Sequence, residues 1–415
     1  MFTRHYSHIK AIISERKYCT MIRKALISNI YEAASIERWN DHIRPSIGFT
    51  ELDKQAHKMI YAYVLSKCCD DSLCDPLLLI EGGIFEFLHR EILTDIKPPI
   101  YHDLMKRKGE QINIWVLNQL KGQTEGIGGG FYNKMYKYFT EADYAKNEKM
   151  ILKAAHYFAT AWEFKVIYPM NTDTFDIEQV KIEVEKGLDN CNTFEGFDIF
   201  AKDENLQKFL SLIGKLRYQQ RWSRTVRMPE TSVMGHTLVV SMLSYFCSME
   251  IGVCKNRVVN NFFGGLFHDL PEVLTRDIVS PVKASVAGLD DIIKEIEEVQ
   301  MSRVIYPLVP EKLADDIRFY TTDEFASRIV IDGEIRKLSS DEINESYNND
   351  IYNPIDGEII RACDHLSAYL EAYLSIKYGI QSEQLQSGYH NLFQRYENRI
   401  IAGVDFGQLF DYFRL

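Results

Sequence analysis

The chain has 415 residues, 46% of them apolar, enough for two or three domains that each bury a core without disulfide staples. Acidic groups outnumber basic ones, 59 against 48, for a formal charge of -11; this disfavours docking on long nucleic acid but leaves room for a small anion held by a few arginines. The eight cysteines are scattered and form no CxxC pair, so they read as reduced core thiols of a cytosolic protein rather than a zinc ribbon.

Taken in chain order, the N-terminal MFTRHYSHIKAIISERKY breaks every apolar run with charge. It therefore offers neither a signal-peptide core nor a spanning segment, and a cytoplasmic protein without a membrane partner is expected. Apolar residues at three- and four-residue spacing predict helices in AHKMIYAYVLSK (56–67), MILKAAHYFATAWEFKVI (150–167), HTLVVSMLSYFCSMEIG (236–252) and EIIRACDHLSAYLEAYLSIKYG (358–379). In the third of these, His236, Val239, Val240, Leu243, Phe246 and Cys247 share a face, and Gly252 suits the C-terminal stop. EGIGGG (125–130) lacks a following GK[ST] and reads as a flexible connection rather than a phosphate loop. No run of strands would build a large sheet, so the expected fold is all-α.

Self-similarity adds organisation. GGIFEFLHREILTDIKPP (82–99) matches GGLFHDLPEVLTRDIVSP (264–281) at an offset of 182, with seven identities in 18 positions, against roughly one from composition. Upstream, Arg38, Trp39 and Arg44 pair with Arg221, Trp222 and Arg227. His57 falls near His236, and KAAHYFATAWEF lies over RACDHLSAYLEA with His156 opposite Asp364. The order of matches is the same in both halves, which predicts two tandem helical domains, 1–200 and 201–415, with the boundary in the polar stretch between 190 and 205.

The halves differ at the positions that carry chemistry. His268 faces Glu86, Asp269 faces Phe87 and Asp364 faces His156, so the polar set is whole only in the second copy. An imidazole beside a carboxylate on an apolar helix is costly to desolvate unless a cation or full hydrogen bonding compensates. A capping role for Asp269, just before Leu270-Pro271, is the structural alternative. His236 and Asp364 sit on the apolar sides of two other helices. Together the four side chains can close most of the shell of one divalent ion and leave room for water and substrate. Such His/Asp sets suit Mn, Co, Fe, Mg or Zn in a catalytic role.

The pattern of His236, His268-Asp269 and Asp364 resembles the HD superfamily of metal-dependent phosphohydrolases. The RW pair ahead of His236, together with HDLPEVLTRDIVSPVK, resembles its bacterial 5'-deoxynucleotidase branch. The likeness covers roughly 205–385, and 30–170 as a weaker, degenerate copy. It implies His236, His268, Asp269 and Asp364 as metal ligands. It also implies Glu272 and Asp277 as acidic groups around the attacking water and the nucleotide, and Arg221 and Trp222 beside phosphate and sugar. A solvated first-turn glutamate and a loop cap are the plain readings of Glu272 and Asp277, and Lys283 is as well explained by solvation as by phosphate. The chain departs from the family by placing Met234-Gly235 where an acidic residue usually precedes the first histidine, and by an insertion around 310–355. Phosphate release from (deoxy)nucleoside 5'-monophosphates is the expected activity. Hydrolysis of a dNTP, a cyclic nucleotide or an alarmone, and a non-catalytic metal-containing regulatory module, are the alternatives. The first half is expected to pair with the second inside one chain, replacing a homodimer contact; further homo-oligomerisation is open.

Overall fold

The computed structural model describes residues 20–45, 49–70, 72–94, 96–191, 195–276, 278 and 286–415. The first half comprises α1 (Lys24–Glu32), α2 (Glu51–Lys67), α3 (Pro76–Leu93), α4 (Pro98–Thr124), α5 (Phe131–Thr140), α6 (Lys146–Ile167) and α7 (Ile177–Asp189). Then come α8 (Glu195–Lys202), α9 (Glu204–Ile213), α10 (Val233–Ile251), α11 (Lys255–Phe267), the one-turn α12 (Glu272–Thr275), α13 (Leu289–Gln300) and α14 (Glu311–Thr321). A hairpin of β1 (Arg328–Ile331) and β2 (Glu334–Lys337) precedes α15 (Ser340–Ser346), α16 (Gly357–Lys377) and α17 (Glu383–Tyr396). The two-residue strands β3 (Ile400–Ile401) and β4 (Val404–Asp405) and the helix α18 (Phe406–Asp411) follow. The fold is all-α apart from these two antiparallel pairs among the described residues, and the 310–355 segment supplies α14, the first hairpin and α15.

One apolar core runs from Ile22 to Phe413 through both halves. Its centre is α10, which starts where Ser232 Oγ accepts from Gly235 N at 2.9 Å and stops at Gly252 in a left-handed conformation, φ 73°. The sequence suggests one apolar face for this helix, but every residue from Val233 to Ser248 is buried. It is enclosed because α2, α11 and α16 pack around it. Gly265 lets α11 cross α10 closely, since a Cβ there would stand 3.0 Å from Ser241 Cα. EGIGGG is likewise a packed turn rather than a free linker: a Cβ on Gly128 would collide with Met249 O at 2.2 Å.

A fully buried ion pair fastens α11 to the start of α16. Arg257 donates Nε to Asp356 Oδ2 at 2.7 Å and Nη2 to Oδ1 at 2.9 Å, and Asn261 donates to the same carboxylate at 2.9 Å. Residues 364, 367 and 371 then lie at i, i+3 and i+7 on one face of α16. No described disulfide exists: Cys247 and Cys363 are buried with their sulfurs 3.9 Å apart, and Cys191 is also buried. No helix among the described residues is long and apolar enough to cross a membrane.

Candidate metal centre

Three helices deliver the polar set. His236 lies one turn into α10, His268 and Asp269 directly follow α11, and Asp364 is two turns into α16. One ligand atom from each of His236, His268 and Asp364 lies within 4.8 Å of the others. Asp269 Oδ2 joins them, 3.3 Å from His268 Nε2 and 3.9 Å from His236 Nε2, while Asp364 Oδ1 is 3.0 Å from His236 Nε2. Both histidines are buried, and neither Nε2 makes a well-directed hydrogen bond.

Hydrogen bonding sets which nitrogen carries the proton. His268 Nδ1 is 2.8 Å from Gly265 O, an acceptor only, so Nδ1 must donate. His236 Nδ1 is 2.9 Å from Ser367 Oγ, which is 2.5 Å from the Tyr31 hydroxyl; that hydroxyl donates to Ser367 O at 2.9 Å. With the Tyr31 proton spent on the carbonyl, Ser367 donates to Tyr31 and accepts from His236. With each Nδ1 committed as a donor, both Nε2 atoms face the two carboxylates and are the nitrogens that a metal would bind on displacing a proton.

Electrostatics also call for positive charge at this point. Burial pushes the Asp269 carboxyl up, but His268, Arg221 and His236 outweigh it and hold it at about 2. Asp364 is likewise held well below the carboxylate range against the penalty of burial, chiefly by His236. Burial lowers the His268 imidazole, yet Asp269 wins and lifts it to about 9, whereas burial and then Arg221 lower His236. Two carboxylates backed by two imidazoles hold a proton where they could hold a divalent ion. The residues therefore fit the metal.

Arg221 stands over this set. Its Nη1 is 3.4 Å from Asp269, its Nη2 is 3.6 Å from Asp364 and its Nε is 3.6 Å from Glu371. Trp222 adopts φ 56° and donates Nε1 to Glu371 Oε2 at 2.9 Å, so Glu371 aligns both residues of the RW pair. Glu371 had not been singled out in the sequence, although it is the carboxylate shared by the two aligned segments, opposite Glu163. Glu272 opens α12 and is buried, its carbonyl receiving Gln219 Nε2 at 3.0 Å. Asp277 and Lys283 lie outside the described residues. The missing acid before His236 has a structural counterpart: Asp53 of α2 packs against Gly235, accepts from Ser232 Oγ, and would be 3.0 Å from a Cβ at 235.

A sequence profile described as HD domain matches residues 213–393. A 5'-deoxynucleotidase of Pectobacterium atrosepticum is 28% identical over 133 residues, 30% of this chain and 63% of that protein. A dATP triphosphohydrolase of Acinetobacter phage SH-Ab 15497 is 31% identical over 93 residues, 19% of this chain and 45% of that protein. The chain spans less than two thirds of the length of these relatives. A solved HD-domain phosphohydrolase from Listeria innocua covers 48% of this chain and 83% of its own, at 18% identity and a TM-score of 0.37. HD domains bind divalent metals, and the C-terminal half of this chain is an HD domain.

Proposed function

We propose that the HD domain releases phosphate from (deoxy)nucleoside 5'-monophosphates, with one divalent cation held by His236, His268, Asp269 and Asp364. The observation that carries this reading is the meeting of the Nε2 atoms of two buried histidines and two carboxylates beneath one arginine. A divalent ion held there supplies Lewis acidity and makes water a better nucleophile at neutral pH.

The chain's own groups divide the remaining work. Arg221, which stands 3.4–3.6 Å from its three carboxylates, is assigned the non-bridging phosphoryl oxygens, whose charge otherwise repels a nucleophile. Glu371 keeps that guanidinium and the Trp222 indole in register, with Trp222 set against the sugar. Glu272, one turn beyond His268, is assigned the proton that leaves the water or reaches the departing 5'-oxygen. A monophosphate is favoured over a triphosphate because Arg227, buried behind Arg221, is already committed, donating to Arg221 O and Thr231 O. The triphosphohydrolase relative keeps dNTP hydrolysis as the second reading.

The test is phosphate release by the manganese- or cobalt-loaded chain across nucleoside mono-, di- and triphosphates. Turnover of monophosphates, lost in Asp269→Ala and strongly reduced in Glu272→Gln, is the expected result. Turnover that persists in Asp269→Ala, or no release from any nucleotide, contradicts the proposal.

A further inference from the structure

The 310–355 segment, read from the sequence as an insertion, reaches the metal centre through Phe325. Between α14 and β1 the chain crosses the start of α16, and Gly357 makes the crossing possible: a Cβ there would stand 2.3 Å from Phe325 C and 2.4 Å from Ala326 C. Hydrogen bonds pin the crossing. Glu358 N donates to Ser327 Oγ at 3.1 Å, and Arg328 and Ile355 exchange two backbone bonds of 3.0 Å in an antiparallel bridge. The Phe325 ring is thereby set with its centroid 5.9 Å from that of His268.

One turn along α16, Arg361 meets that ring. Its guanidinium carbon lies 5.1 Å from the Phe325 centroid, and the residue stands three positions before Asp364, on the same side of the helix. An aromatic face attracts a cation but offers it no acceptor, so the N–H donors of Arg361 stay available to an oxyanion. The acidic neighbours on α16 are engaged elsewhere. Glu358 accepts from Ser340 N at 2.7 Å, while Asp364 lies 3.0 Å from His236 Nε2 and 3.6 Å from Arg221 Nη2. Among the described residues no carboxylate pairs with Arg361, which is exposed. The charge of the centre calls for such a group. Asp269, Asp364 and Glu371 surround Arg221, so Arg221 and a divalent ion together only offset those three carboxylates. Arg227 is buried and already donates to backbone carbonyls. A phosphate dianion entering the centre needs a further cation that can reach it.

We infer that Arg361, seated on Phe325, is a second guanidinium that binds the phosphoryl oxygens of the substrate at the metal centre, and that the 310–355 segment positions it there. Arg361 touches the substrate; Phe325 acts through Arg361 and is a positioning residue. The inference rests on the phosphohydrolase reading of the site and deepens it, because the group recognised is a compact dianionic phosphoryl shared between a metal ion, Arg221 and Arg361.

Binding of orthophosphate and of pyrophosphate to the manganese-loaded full chain is the test, run beside manganese affinity, melting temperature and turnover of dAMP. Arg361→Gln is expected to weaken orthophosphate by about tenfold or more, as loss of a charged donor implies, with manganese affinity and melting temperature unchanged, and Arg361→Lys to recover part of that loss. Phe325→Leu should weaken orthophosphate about threefold, again without moving manganese affinity; wild-type orthophosphate affinity in this variant overturns the positioning role. Unchanged orthophosphate affinity in Arg361→Gln, a loss confined to pyrophosphate, a loss matched by a fall in manganese affinity or melting temperature, or no orthophosphate bound by the wild-type chain overturns the inference. Failure of the hydrolytic reading looks different: no turnover of dAMP, with orthophosphate still held through Arg361, removes the proposed activity and leaves the inference standing.

Discussion

Ser367→Ala probes the support of the metal site without touching a ligand. The serine is fully buried and accepts from His236 Nδ1 at 2.9 Å. Its loss leaves a buried imidazole N–H unpaired, at a cost of about 1–3 kcal/mol, and frees the ring to turn or change tautomer. Tyr31 keeps its bond to the 367 carbonyl, so the damage centres on His236 rather than on α1. Loss of such an outer partner lowers metal affinity roughly 10–100-fold, or about 1.4–2.7 kcal/mol. Chelator competition with manganese is the assay, and Tyr31→Phe should shift affinity the same way by less. Wild-type affinity in Ser367→Ala would refute the tautomer argument.

Two further outcomes follow from burial. Asp356→Ala leaves Arg257 charged and unpaired where α11 meets α16, so denaturant unfolding should show a loss of about 3–5 kcal/mol; a loss under 1 kcal/mol would contradict the role given to this pair. Glu91 is raised to about 7 from its ordinary 4.5, first by burial and then by Glu32. A carboxyl with a raised folded-state pKa favours the fold while protonated, so that contribution is present below about pH 4.5 and is lost as pH rises toward and past 7. Glu91→Gln should therefore match wild type near pH 4 and be more stable by about 1–2 kcal/mol at pH 8, the full shift being discounted for partial solvent contact. Equal melting temperatures at both pH values would count against it.

The helices, and the convergence of His236, His268, Asp269 and Asp364, were legible because apolar spacing and the asymmetry between matched segments are local properties of the chain. What the sequence hid depends on distance in space. Ser367 and Tyr31 are 336 residues apart, and nothing in either segment announces that they jointly fix an imidazole. The glycine before His236 looked like a lost acid until α2 brought Asp53 against it. His57 was set beside His236 by residue type alone; counted from the capping hydroxyls Thr50 and Ser232, Lys54 stands at the helix position of His236. EGIGGG read as slack because the close approach of Met249, which demands glycine, comes from more than a hundred residues downstream. Glu371 was within reach: two turns beyond Asp364, it repeats Glu163 two turns beyond His156.

The most direct test of the metal assignment is an anomalous-difference map from crystals of the full chain grown with manganese. The account predicts one strong peak between the Nε2 atoms of His236 and His268, within coordination distance of those atoms and of oxygens of Asp269 and Asp364. No peak there, or a peak only elsewhere in the chain, would contradict it.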